Sequence, residues 1–553
     1  MKRPLHSVIP SESRGIPWRN LKGSSTGSLE FARDDRGNLS GEFPPGASEW
    51  PSELSRRRFL QITAASVALA GATGCTRSPP EKIVPYKTQP EEIIPGKPLF
   101  FASALTLGGF ARGILVETHE GRPTKIEGNP EHPASLGATD VFMQAELLTL
   151  VDPERSQAVM NRGQVSTWEI LLGELTSPAQ EWKKDKGARL RFLTRHETSP
   201  TFLDQLRRLL AKYPASKWHE YEPLTTTAPP ALYHFDKAEF IVSLGADFLA
   251  FGPASLKYAR DFAAGRDPNG NMNRLYVVEA TPSLTGAMAD HRIALRPDEL
   301  EKLALELAGG AISKTANAII HDLHAHAGKS VVVAGEFESP LVHEAARRLN
   351  ETLGNVGVTV DYPNLVSTGA RELRELIDDI KTSVVDTLII IGGNPVYDAP
   401  ADFDFADWLP KIPRTIHVGL YQDETAALCR WHLPVAHELE TWSDARAFDG
   451  IASIMQPMID PLFSGRSRHE LLSALLEEAP ASSYEIVRSF WQSQHPGPDF
   501  EKLWRKSLHD GISMFAVPPP ASSNAAPITE HQSPLTSHVS YSTQRPTLRR
   551  PLR

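Results

Sequence analysis

Leu388 to Pro395 reads LIIIGGNP, an aliphatic run that ends abruptly in Gly392, Gly393, Asn394 and Pro395. A short unbroken apolar run closed by glycine marks a strand buried on both faces, and such strands belong to parallel sheets covered by helices. Two other runs share the pattern: IVSLGAD, Ile241 to Asp247, and VVVAGE, Val331 to Glu336. Strand-like runs also occur at Leu190 to Leu193, Phe240 to Leu244, Leu275 to Val278 and Ile416 to Leu420. Amphipathic helical stretches, such as Phe202 to Lys212 and Pro340 to Leu353, lie between several of them. The alternation predicts an α/β chain with two doubly wound, Rossmann-like parallel-sheet units, interleaved or successive, over 166–483.

Working outward, GILVETHEGRPTKIEGNPEHP predicts a small β domain over 100–165, with strands at Ile114 to Glu117 and Pro123 to Glu127 and turns at Glu120-Gly121 and Gly128-Asn129-Pro130. A proline-marked linker occupies 76–99. Before it stands SRRRFLQITAASVALAGATGC, Ser55 to Cys75. Arg56 and Arg57, followed by Phe59 and Leu60 and a modest apolar run, match the twin-arginine export pattern. That run is shorter than the roughly 20 residues needed to span a bilayer, so it reads as a translocation signal, and the body as soluble. Cys75 closes it, either as a lipoprotein acylation site or as a free thiol in an uncleaved signal. Residues 1–54 read as an irregular extension, 484–517 as helical and 518–553 as a disordered tail.

Composition narrows the chemistry. At 553 residues the chain is too long for one ordinary core, and 41% hydrophobic residues give it enough apolar surface to fold. A net charge of -9 excludes a general nucleic-acid binder, which needs a basic face. Cys75 and Cys429 are the only thiols in the sequence, whereas an all-cysteine cluster needs four. This chain alone cannot supply such a site. A Cys75–Cys429 disulfide is conceivable, but the signal explains Cys75 better, and Cys429 reads as a small buried residue.

Open α/β sheets bind ligands at the carboxyl ends of their strands. Gly392 and Gly393 would let a backbone approach a ligand closely there, and Asn394 could offer an amide to a phosphate or a base edge. The plainer reading is tight turns after buried strands. The G-x-G-x-x-G fingerprint, a P-loop and a G-x-S-x-G elbow are absent. His432 and His437, near Asp423, Glu424 and Glu440, could ligate a divalent metal, but their spacing fits no helical zinc site and core histidines are the preferred reading.

The landmarks, in this order, resemble the molybdopterin oxidoreductase superfamily. The carriers are GILVETHEGRPTKIEGNPEHPASLGATD, VDPERSQ with Thr167, Trp168 and Glu169, YVVEATPSLTGAMADHRIALRPDELEKLAL, LIIIGGNP, and DETAALCRWHLPVAHELETWSD, from about Phe100 to Leu475. The resemblance implies a pterin-nucleotide site with Asp290 and Asp298 at acidic positions, and Gly392, Gly393, Asn394 and Asp298 as a vestige of it. GEFPPGASEWP before the export signal, EKIVPY and WHLPVAHELETWSDARAFDG narrow the resemblance to the Tat-translocated molybdopterin-like subunit of alternative complex III. That implies a place on the periplasmic side of the cytoplasmic membrane, beside a multihaem cytochrome, integral membrane subunits and a ferredoxin-like iron-sulfur part, passing electrons from quinol to cytochrome c.

The departures from the family matter as much. Metal-bearing relatives carry four cluster cysteines in the first domain, whereas Gly108 to Gly113 hold none and Asp140 stands where the last is expected. RPDEL lacks the usual Gly-Thr before its acidic residue, and no cysteine is placed to ligate molybdenum. The expectation is a non-catalytic scaffold subunit with no cofactor of its own, molybdopterin guanine dinucleotide lost and iron-sulfur clusters carried elsewhere. The alternative is an active molybdopterin enzyme with a non-cysteine metal ligand.

Overall fold

The computed structural model describes residues 94, 96–223, 231–268, 270, 272–310, 313–362 and 370–515. Arg56, Arg57, Cys75 and the tail from 518 lie outside the described residues. The chain divides into two compact units, 1–101 with 117–124, and 102–116 with 125–553. The described part of the smaller unit is built on a tight turn: Glu120 and Gly121 both have positive φ, and Thr124 Oγ1 donates to Glu117 O at 3.2 Å. A three-stranded sheet has the order β1 (Leu99–Leu107), β2 (Phe110–His119), β3 (Arg122–Gly128). In the larger unit its inner residues Leu105, Ile114, Val116 and Ile126 pack with Met143 and Leu150 of helix Val141–Leu150 and with Leu439.

The expected α/β units are present and are interleaved. A seven-stranded sheet comprises β4 (Met160–Asn161), β5 (Gln164–Val165), β6 (Leu190–Thr194), β7 (Lys217–Glu220), β14 (Thr387–Ile391), β15 (Arg414–Gly419) and β16 (Trp431–Pro434). Its order is β5-β4-β16-β15-β14-β6-β7, and the run from β16 to β7 is parallel. Between β7 and β14 the chain builds a second, four-stranded parallel sheet, β11-β10-β9-β12. Its strands are β9 (Phe240–Leu244), β10 (Arg274–Glu279), β11 (His291–Ala294) and β12 (Ser330–Ala334). Two short antiparallel pairs complete the strands: β8 (Leu232–Tyr233) with β13 (Val360–Asp361), and β17 (Ser443–Arg446) with β18 (Ala452–Met455).

The central strands β6, β9 and β14 are buried along their whole length, which is why they are predominantly apolar; Arg191 in β6 is the charged exception and pairs with Asp379 at 2.7 Å. Each fully buried Leu, Ile or Val is worth about 1.5–3 kcal/mol. Helices cover both sheets and start where the sequence caps them. Ser199 accepts from Phe202 N ahead of helix Pro200–Lys212, and Pro297 and Pro340 open helices Pro297–Gly309 and Pro340–Thr352. Helices Ser483–Gln494 and Phe500–Asp510 bury Trp491 and Trp504 against Ile454 and Phe515. No helix among the described residues is long and apolar enough to cross a membrane.

Candidate functional site

In an open sheet, the crevice for a ligand opens where consecutive connections depart in opposite directions. This chain has two such points. From β6 it moves outward to β7, leaves for the second sheet, and returns on the other side of β6 as β14. Within the second sheet it moves from β9 to β10 and β11, then crosses back to place β12 beside β9.

At the first switch point the loop after β6 carries Arg195 and His196, and the loop after β14 carries Gly392, Gly393 and Asn394. Both glycines have positive φ, 72° and 78°, and Gly392 N donates to Val418 O at 2.8 Å. A β-carbon on Gly393 would lie 2.7 Å from Nε of Arg195, so the arginine already fills the space that the glycine leaves. Arg195 is held in turn by Asp398 and by Glu222 at 3.7 Å. His196 donates its backbone N–H to Glu222 at 2.9 Å and pairs through Nδ1 with Glu220 at 2.8 Å. Burial alone would lower the His196 value, but the Glu220 hydrogen bond and the charges of Glu220, Glu197 and Glu222 leave it raised.

Asn394 is held by its own chain at both ends of its amide. Its Nδ2 donates to Glu424 at 2.6 Å, and its Oδ1 accepts from Thr425 Oγ1 at 2.7 Å and Thr425 N at 3.2 Å. Below it, Gly393 O is 3.2 Å from His417 Nε2, His417 Nδ1 is 3.0 Å from His432 Nδ1, and His432 Nε2 is 2.6 Å from Ser156 Oγ. Burial lowers the pKa of His417, and burial together with the His417 charge pushes His432 down to about 3. Both are neutral at physiological pH. The two rings form a buried relay of hydrogen bonds from Ser156 to the glycine turn.

The remaining sequence candidates are dispersed. Asp290 accepts from Leu275 N at 2.8 Å and pairs with Arg266 at 2.8 Å, which is a fastening of β10. Asp298 is 57% exposed in the first turn of helix Pro297–Gly309, facing Arg296 at 3.3 Å and Lys302 at 3.9 Å, on a different sheet from Gly392. His437 is buried between Thr149 and Glu146, each at 3.1 Å. Glu440 is locked in a buried bidentate pair with Arg155 at 2.9 and 2.6 Å. Among the described residues no cluster of three or more His, Cys, Asp or Glu side chains could hold a metal. Cys429 is a free, buried thiol whose pKa burial raises to about 12.

In the first sheet, Gly108 and Gly109 turn β1 into β2 with positive φ, and Arg112 follows on β2. Arg112 is 2% exposed, forms an ion pair with Asp140 and donates Nη2 to Gly252 O at 2.8 Å. Asp140 also caps helix Val141–Leu150, its Oδ1 accepting from Met143 N at 2.8 Å. Sequence reasoning missed Arg112, Arg195, His417 and Ser156. For Arg195 a signal existed: it follows the run Leu190 to Thr194 directly, at the same place relative to its strand as Gly392.

No family model matches the chain. It is 24% identical over 471 residues, 71% of this chain and 67% of the relative, to the menaquinone reductase molybdopterin-binding-like subunit of Nitratidesulfovibrio vulgaris (strain Hildenborough). In structure it is similar to acetylene hydratase from Pelobacter acetylenicus, with a TM-score of 0.55 and 11% identity over 74% of this chain and 72% of that one. With its small first sheet and its two interleaved parallel sheets, the chain has the molybdopterin oxidoreductase fold.

Proposed function

We propose that this chain is a non-catalytic scaffold subunit of a membrane-associated complex that exchanges electrons with quinone or quinol. The observation that carries this reading is the Arg112–Asp140 pair. Where the resemblance calls for cluster cysteines, the sequence puts a buried arginine and its counter-ion, which cross-link β2 to helix Val141–Leu150 without any metal. An ion pair can fasten two elements, but it cannot carry an electron.

The residues at the first switch point do not fit a pterin dinucleotide either. A pyrophosphate needs free N–H donors or unpaired cations. Here the Arg195 charge is already offset by Asp398 and Glu222, although its Nη1 makes no hydrogen bond, and the Asn394 amide nitrogen is turned to Glu424. Further carboxylates of Glu220 and Asp423 stand nearby, so an incoming pyrophosphate would meet an excess of negative charge.

Membership of a complex is supported by the relative's name and by the outer face of helix Val141–Leu150, where Val141, Phe142 and Leu148 are exposed. Within that reading we assign the chain to an assembly of the alternative complex III type. It would be exported through Arg56 and Arg57 to the periplasmic side of the membrane, with Cys75 available for acylation. Its partners there would be a multihaem cytochrome, integral membrane subunits and a ferredoxin-like iron-sulfur part. The test is affinity purification of the tagged full chain from detergent-solubilised membranes. Haem-staining and membrane-embedded partners with quinol:cytochrome c activity are expected. A chain that purifies alone, or with a soluble oxo-transfer activity, would contradict the reading.

A further inference from the structure

The second switch point, between β9 and β12, is built differently from the first and plays no part in the reading above. Gly245 ends β9 and Gly335 ends β12, and the two turns are laced together: Gly335 N donates to Leu244 O at 2.8 Å, and a β-carbon on Gly335 would meet the carbonyl of Gly245. Two glycine turns on neighbouring parallel strands form the cradle in which α/β sheets receive phosphates. In this chain the cradle is filled by the loop that follows β12. A β-carbon on Gly245 would collide with Oε1 of Glu338, and one on Gly252 would stand 2.7 Å from Oε1 of Glu336. Phe337, between the two acids, meets Phe251 of the opposite loop with ring centroids 5.4 Å apart, so the two loops are joined across the crevice.

The acids bring charge as well as bulk. Among the described residues neither Glu336 nor Glu338 forms an ion pair or a side-chain hydrogen bond. Burial raises the pKa of both carboxyls, and Glu301 raises that of Glu338 further. A phosphate approaching Gly245 would meet carboxylate oxygen where it needs a donor, and like charges at contact repel strongly away from bulk water.

We infer that Glu336 and Glu338 close the β9/β12 switch point to phosphate-bearing ligands, occupying the glycine cradle with side-chain volume and negative charge. The inference rests on the scaffold reading and deepens it, because it names the residues that keep a nucleotide out of the second sheet. It also makes the closure a property of two side chains on one loop, so it can be undone without touching the sheet.

The probe is GDP, titrated calorimetrically into the full chain and into E336A/E338A, with a single cooperative thermal transition like that of the wild type showing that the variant is folded. The wild-type chain is expected to show no binding, and the alanine pair to bind at least about tenfold more tightly than the detection limit set by the wild type. The isosteric pair E336Q/E338Q, which keeps the volume and removes the charge, should gain less than the alanine pair and serves alone if the alanine pair does not fold. GDP binding to the wild-type chain, or no gain in any folded variant, would overturn the inference. The two readings fail separately: pterin recovered with the native chain counts against the scaffold, and GDP bound by the wild-type chain counts against the closed crevice.

Discussion

The two switch points occupy equivalent positions in their sheets and are filled by opposite means. Between β6 and β14 the charges face opposite charges: Arg195 lies over Gly393 against Asp398 and Glu222, and His196 meets Glu220, although Arg195 Nη1, Asp398 Oδ1 and Glu220 Oε2 are buried without a hydrogen bond. Between β9 and β12 the glycine cradle is filled by Glu336 and Glu338, which have no cation among the described residues. A crevice can thus be closed by a network that stabilises the fold or by charges that cost it stability. Glycine-ended strands alone do not tell which.

The largest expected effect breaks the network. Arg195→Ala should lower the free energy of unfolding by about 2–3 kcal/mol, because it strands Asp398 and Glu222 in a half-buried site, and adding Asp398→Asn should restore much of the loss. Urea denaturation checks both, and a loss under about 0.5 kcal/mol would show that the network is ornamental.

The next effect is on pH. The folded value of His432, about 3, lies below the 6.5 of an unperturbed histidine, so as pH falls the unfolded chain takes up the proton first. Its contribution is complete above pH 6.5 and drains away toward pH 3, a loss of about 1–2 kcal/mol by pH 5. Stability measured against pH should show this slope, and His432→Phe should make it shallower by that amount while the buried, likewise lowered His132 and His219 keep the rest.

Asn394→Ala, which removes the acceptor for Thr425, should cost about 1 kcal/mol in the same assay. On the other side of the comparison the sign reverses. The raised values of Glu336 and Glu338 mean that stability is lost as pH rises through them. E336Q/E338Q should therefore be more stable than the wild type at pH 7.5 and no different from it at pH 4. Asp298→Asn, at the exposed acidic position, should stay within about 0.5 kcal/mol of zero.

Much of the fold was legible because buried parallel strands leave a continuous apolar signature. Phe240 to Leu244 coincides with β9, and Leu190 to Leu193, Val331 to Ala334 and Leu388 to Ile391 fall within a residue of β6, β12 and β14. Among the strands not anticipated, β1, LFFASALTL, is long and apolar, a run whose period does not separate strand from helix. β4, β5, β8 and β13 are only two residues long, and β7, β16 and β17 carry polar residues such as His219, His432 and Asp444, whose partners come from distant segments. Asp444, for example, accepts from Ser199 at 2.5 Å and Trp491 at 2.8 Å. Interleaving was one of two open alternatives because period and spacing do not say which strand a later one will join.

The site was less legible. Gly392, Gly393 and Asn394 do lie at a switch point, but nothing local says that Asn394 answers Glu424 and Thr425, or that Arg195 covers Gly393. Asp140 stood out only as a residue in the place of a cysteine, and its meaning came from Arg112, which lies 28 positions away and has no pattern of its own.

The most direct test of a scaffold without its own redox centre is elemental and pterin analysis of this chain separated from its native complex. Molybdenum, tungsten, iron and oxidised pterin are each expected far below one equivalent per chain. One equivalent of molybdenum or tungsten with pterin, or of an iron-sulfur cluster seen by electron paramagnetic resonance in the homogeneous chain, would contradict the account.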